Sequence, residues 1–173
     1  MLINCAAYED GRKLADIAIE EIDQWLLRPG CFVWVALRDA DDDELQHVQQ
    51  EFALHELAVE DARHGHQRPK IEEYGSTLFI VMQLPADAPG ESEQGELAIF
   101  AGENFVVSVR NRSAQDFLGV RSRCEREPEL LRQGAGFVLY ALMDAVVDRY
   151  FPRIDALETE LEAIEDTIFE RHS

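Results

Sequence analysis

Apolar and polar positions open the chain in a period of two. Leu2 to Tyr8 and Lys13 to Ile19 read as short strands around the turn Glu9-Asp10-Gly11-Arg12, an opening hairpin. From Glu20 to Leu27 the period lengthens to that of a helix through Ile22, Trp25 and Leu26, and Arg28-Pro29-Gly30 ends it. The run Cys31-Phe32-Val33-Trp34-Val35-Ala36-Leu37 is apolar on both faces and predicts a central strand.

Helical spacing returns over Asp39 to Phe52, with acids in the first turns and Leu45, Val48 and Phe52 on one side, and again over His55 to Ala62. Three further strands are expected at Thr77–Gln83, Glu96–Ala101 and Asn104–Arg110. An acidic Pro/Gly loop, Asp87 to Gly95, joins the first two, and Gly102-Glu103-Asn104 is a tight turn between the others. Gln115 to Glu127 predicts one more helix.

The last stretch, Phe137 to about Glu170, reads as a much longer helix. Leu139, Met143, Val146, Tyr150, Ile154, Leu157, Leu161, Ile164 and Ile168 recur every three or four residues, a coiled-coil-like seam. At about 100° per residue, Asp144, Asp148, Asp155, Glu158, Glu162, Glu165 and Asp166 form an acidic stripe beside it. Pro152 lies inside this helix and removes a backbone hydrogen bond, so a kink or break is expected there. The elements together predict an α+β fold, a three-layer α/β/α sandwich with a mixed sheet of six to seven strands and a long C-terminal helix. Residues 1–135 form its α/β body and 136–173 the long acidic helix.

Charge narrows the partners. With 35 acidic against 16 basic residues among 173, the net charge is −19, so a nucleic-acid partner is disfavoured and cations or basic surfaces suit the chain better. Cys5, Cys31 and Cys124 are widely spaced and show neither a CxxC pair nor a disulfide framework, which suits a reducing cytosol. No export signal and no apolar run of membrane-spanning length is evident.

Catalytic signatures are missing. The serines and cysteines carry no GxSxG elbow or family-type cysteine motif, and no GxGxxG or GxxxxGK[ST] offers a phosphate cradle. A metal-dependent hydrolase would need convergent ligands, and none stands out. His64 and His66, with His55 upstream, could serve zinc, but the His64-Gly65-His66 stretch reads as a loop without a cysteine partner or an HExxH helix. Glu60 and Asp61 are adjacent, so on a helix their side chains diverge by about 100° and one at most faces a given site.

Phe52-Ala53-Leu54-His55-Glu56-Leu57-Ala58-Val59-Glu60-Asp61-Ala62, followed by His66-Gln67-Arg68-Pro69-Lys70-Ile71-Glu72, resembles the signature of CorA-type magnesium and cobalt transporters. The strand Phe32–Leu37 and the helix start Leu139–Phe151 agree with the same family. His55-Glu56 departs from the family's usual His-Pro. The match stops before the family's later helices, its two membrane spans and its Gly-Met-Asn signature, so the chain resembles the soluble amino-terminal part of such a transporter.

The resemblance implies a non-enzyme that senses cations at the cytoplasmic face of the membrane, within a homopentamer whose cytoplasmic domains form a funnel. Contact with the membrane would come only through segments beyond this sequence. It implies that Asp61, with its neighbour Glu60, lies at the border between protomers and helps hold a regulatory Mg2+, and that Asp144 and Asp148 are acidic positions near the same region. Co2+ or Zn2+ are alternative ions, and the fragment alone is expected to bind weakly. Gln67-Arg68-Pro69-Lys70 reads as structural, with Pro69 favouring extended backbone at Arg68. Two alternatives stand beside this reading: the soluble domain of a ZntB-like zinc transporter, and a stand-alone interaction protein that uses the Leu139–Ile168 seam.

Overall fold

A computed structural model describes residues 1–86 and 94–171. Its strands are β1 (Leu2–Glu9), β2 (Arg12–Asp16), β3 (Cys31–Arg38), β4 (Lys70–Tyr74), β5 (Thr77–Leu84), β6 (Gly95–Ala101) and β7 (Phe105–Asn111). Its helices are α1 (Ile22–Leu26), α2 (Asp42–Phe52), α3 (Glu56–His64), α4 (Leu118–Glu125), α5 (Pro128–Leu131), α6 (Ala135–Asp148) and α7 (Phe151–Arg171). The strands form one mixed sheet in the order β2-β1-β3-β7-β6-β5-β4. Only β3 and β7 run parallel; every other neighbouring pair is antiparallel.

The inner strands are buried on both faces, as the unbroken apolar run of β3 foretells. One core sets Val33, Val35, Phe79, Phe100 and Val107 against α1, α2 and α3. The other sets Trp34, Ile80, Leu97, Ile99 and Val106 against α4, α5 and α6. The expected three-layer sandwich is therefore the observed one, and the long carboxy-terminal helical stretch extends from it.

Differences from the expected elements have local causes. The second strand ends at Asp16, because Ile19–Glu21 turns into a 3-10 segment leading to α1. Helix α2 starts at Asp42, three residues late: Asp39 has φ 41°, and Asp41 caps the helix by accepting from the Glu44 amide at 2.9 Å while Glu44 accepts from the Asp41 amide. Helix α4 starts at Leu118 instead of Gln115, because the buried Arg110 guanidinium donates to the carbonyls of Ser113 and Gln115 and holds that stretch out of the helix. The strand β4 and the one-turn α5 carry no clear pattern in the sequence; β4 is a charged edge strand, Lys-Ile-Glu-Glu-Tyr, and completes the sheet at seven. The acidic loop expected over Asp87–Gly95 lies for the most part outside the described residues.

The long helix breaks where proline requires it. Helix α6 ends at Asp148 and α7 begins at Phe151, with Pro152 unable to donate to the Asp148 carbonyl. Side chains latch this break to the body. The Tyr150 hydroxyl donates to the Gln83 carbonyl at 2.7 Å, the Arg149 guanidinium lies 3.9 Å over the Phe117 ring and donates to the Asp116 carbonyl, and Arg153 donates to the Ala86 carbonyl. Beyond the latch the seam turns outward: Ile154, Leu157, Leu161, Ile164 and Ile168 are all exposed, whereas Val146 before it is buried.

The Phe79–Phe100 pair, with ring centroids 4.8 Å apart and both residues buried, belongs to the first core. Phe100→Ala is expected to lower the unfolding free energy by about 3–5 kcal/mol, read from the shift in urea midpoint.

Candidate metal centre

Helix α3 carries Glu60 and Asp61. It starts at His55, whose Nδ1 accepts from the Leu57 amide at 3.2 Å and whose ring stacks on Tyr74 with centroids 4.3 Å apart. Ala58, Val59 and Ala62 press it onto the sheet, and the Asn111 side chain donates to the Ala62 carbonyl at 3.1 Å. It stops at Gly65, whose φ of 64° suits glycine and whose missing Cβ leaves room for the Arg112 guanidinium, 2.5 Å from where that carbon would stand.

The helix separates its two acids, as their adjacency requires. Glu60 is exposed and lines a shallow groove between α2 and α3 with Gln46, Gln49, Glu56, Arg63 and His64. Asp61 turns to β4, where Lys70 Nζ lies 2.6 Å from its Oδ2 and 3.0 Å from Glu72 Oε2. The Asp61 hydrogen bond raises the lysine's pKa further above its usual range.

Asp144 and Asp148 lie on α6. Asp144 is half-buried and accepts from the Arg123 guanidinium of α4 at 2.9 Å; Asp148 is exposed. Because α3 covers one face of the sheet and α6 the other, the structure does not bring Glu60 and Asp61 together with Asp144 and Asp148 in one chain. Among the described residues no group of three or more histidines, cysteines or acids is placed to hold a metal ion. The histidines have local partners: His55 caps α3, and His64 Nδ1 meets the Glu60 carbonyl at 3.0 Å.

One buried acid escaped the sequence reading. Glu96, 1% exposed at the start of β6, accepts from the Gln67 amide at 2.9 Å and faces Arg112 Nη2 at 3.8 Å. It ties the signature loop between α3 and β4 to the sheet. The signal for it was a lone charge opening an otherwise apolar strand, Glu96-Leu97-Ala98-Ile99-Phe100. Burial raises its pKa, against the lowering influence of the Gln67 amide, Arg112 and His66.

A family model described as CorA-like Mg2+ transporter protein matches residues 30–173. YfjQ of Bacillus subtilis (strain 168), named as a metal ion transporter, is 33% identical over 154 residues, covering 89% of this chain and 47% of that protein. The cobalt/magnesium transport protein CorA of Thermotoga maritima is 30% identical over 132 residues, 75% of this chain and 38% of that protein. The chain thus spans less than half the length of these curated relatives. Among solved structures, full-length CmaX superposes with TM-score 0.76 at 20% identity, over 96% of this chain and 51% of that one. The soluble domain of CorA from Methanocaldococcus jannaschii does so with TM-score 0.59 at 21% identity, over 98% and 66%. The ZntB cytoplasmic domain from Vibrio parahaemolyticus shares the fold as well, with TM-score 0.61 at 11% identity over 76% and 54%.

Sheet, flanking helices and carboxy-terminal helix define the soluble-domain fold seen in metal ion transporters. This chain belongs to the CorA-like Mg2+ transporter family. Its curated relatives are named as transporters and not as enzymes. Among the described residues no helix is long and apolar enough to cross a membrane.

A carboxylate whose folded-state pKa exceeds its unfolded value adds stability that is full below the unfolded value and is lost as pH rises through the folded one. Glu96 has that sign. The stability of the wild type relative to Glu96→Gln is therefore expected to fall as pH rises from about 4 to 7, measured as the difference in denaturation midpoints across that range.

Proposed function

We propose that this chain is the cation-sensing cytoplasmic part of a divalent metal ion transporter, with Mg2+ or Co2+ as the ion read and moved by the whole protein. One observation carries the reading. Asp61 and Asp144 lie on helices that cover opposite faces of the sheet, so a cation that joins them must sit between two copies of the chain.

The donor chemistry suits a hard ion. Mg2+ takes oxygen ligands in an octahedron and retains waters, so one or two carboxylates at a border suffice. Asp61 on one protomer, with Glu60 adding only its charge nearby, and Asp144 or Asp148 on the neighbour would supply them, in a ring that the family resemblance makes a pentamer. A net charge of −19 draws cations to the assembly and sets the copies against one another when cations are scarce. A bound ion then stabilises only the state in which facing acids are close, by an amount that grows with ion concentration over its dissociation constant. The projecting α7, with its exposed apolar seam and acidic stripe, is the element that leads toward membrane segments and would relay that state.

Titration calorimetry with magnesium at physiological salt, paired with light scattering, tests the reading. Weak binding, on the order of millimolar, coupled to self-association is expected, and Asp61→Ala should weaken it at least about tenfold. Tight zinc binding with no response to magnesium would overturn the magnesium reading in favour of a zinc transporter's domain.

A further inference from the structure

The ion pair at Asp61 says how such a site is set. Lys70 and Glu72 are two apart on β4, so strand alternation puts both side chains on the face toward α3. Lys70 Nζ lies 2.6 Å from Asp61 Oδ2 and 3.0 Å from Glu72 Oε2, and the Tyr74 hydroxyl donates to the same Glu72 oxygen at 3.0 Å. The two carboxylates are thus bridged by an ammonium, a cation of the chain's own. The Asp61 and Lys70 side chains are only 28% and 26% exposed, so the pair is screened less than a fully exposed one. The Gln67 amide on buried Glu96 anchors the loop that delivers Lys70, which makes its position part of the fold.

We infer that Lys70 is a built-in competitor for the regulatory cation: its ammonium occupies Asp61 until a divalent ion displaces it, and so sets the ion concentration at which the site fills. The inference rests on the reading of Asp61 as a cation ligand. A divalent ion takes carboxylate oxygens at about 2.0–2.1 Å, inside the distance at which the ammonium now sits, so Lys70 and the ion cannot both hold Oδ2 in their preferred geometry. The apparent dissociation constant is then the intrinsic one divided by the fraction of molecules in which Lys70 has let go. Between ions, Asp61 stays neutralised within its own protomer and does not stand as a bare charge.

Calorimetry of the 173-residue chain with magnesium chloride separates the possibilities. Lys70→Met should bind about tenfold tighter than wild type, Lys70→Arg should match wild type, and the gain should vanish in Lys70→Met combined with Asp61→Asn. The wild type supplies a second readout without any substitution. Lys13 and Lys70 are the only lysines, so acetylation by acetic anhydride followed by mass spectrometry reports each one. Added magnesium should speed labelling of Lys70 and leave Lys13 unchanged. If Lys70→Met binds no tighter and Lys70 labelling ignores magnesium while Asp61→Asn still abolishes binding, Lys70 is no competitor and the Asp61 site stands. If magnesium binding is indifferent to Asp61 in every chain, the underlying reading falls and the competitor falls with it.

Discussion

Double-faced burial of the central strands is the constraint on which the other features depend. β3, β6 and β7 expose almost nothing on either side, so helices must cover both faces, and the chain supplies α1–α3 for one and α4–α6 for the other. At roughly 25 cal/mol per Å2 of apolar surface, removing either layer would cost far more than any surface charge pair returns. Placement of the acids follows from packing and not from electrostatics. Asp61 and Asp144 are carried to opposite faces because Ala58, Val59 and Ala62 on α3 and Val138, Ala141 and Leu142 on α6 are the residues that seal the two cores.

Apart from the opening hairpin, which was read from its turn, the strands legible in the sequence were those whose pattern is dictated by this burial. The β3 run and the β5, β6 and β7 segments were legible because each is nearly continuous in apolar residues. Strand β4 was not, since Lys70, Glu72 and Tyr74 face α3 through polar groups and Ile71 points to solvent at 63% exposure, inverting the usual alternation. Helix starts slipped by three residues at Asp39 and Gln115 for a related reason. Each is decided by a polar contact, the Asp41–Glu44 capping box in one case and buried Arg110 on two carbonyls in the other. Apolar periodicity carries no record of such polar contacts, even though the partners lie only three to five residues apart. The break before α7 was legible, because a proline acts through its own covalent structure.

Site residues were legible to a different depth. Asp61 and Lys70 could be singled out only through the ordered motif they share, and nothing in their spacing said that they meet. Glu96, 29 residues from its Gln67 partner, was visible solely as a charge out of place in an apolar strand. Such a residue is the kind that sequence patterns register as an error and structures register as a support.

A line of contacts runs through the signature segment. Glu96, buried in the sheet, holds the Gln67 amide; the loop so held starts β4 at Lys70; strand alternation turns Lys70 and Glu72 toward α3; and Lys70 meets Asp61. Gly65 belongs to the same line, because a side chain there would collide with the Arg112 guanidinium that faces Glu96. The motif residues between Asp61 and Lys70 therefore need no contact with an ion to matter for one. They set the distance between a carboxylate and the ammonium that neutralises it, and a change of a few tenths of an ångström in that distance alters how firmly the carboxylate is held. Alternation of the backbone and one buried acid thus decide, from beneath, what an acid on the surface can bind.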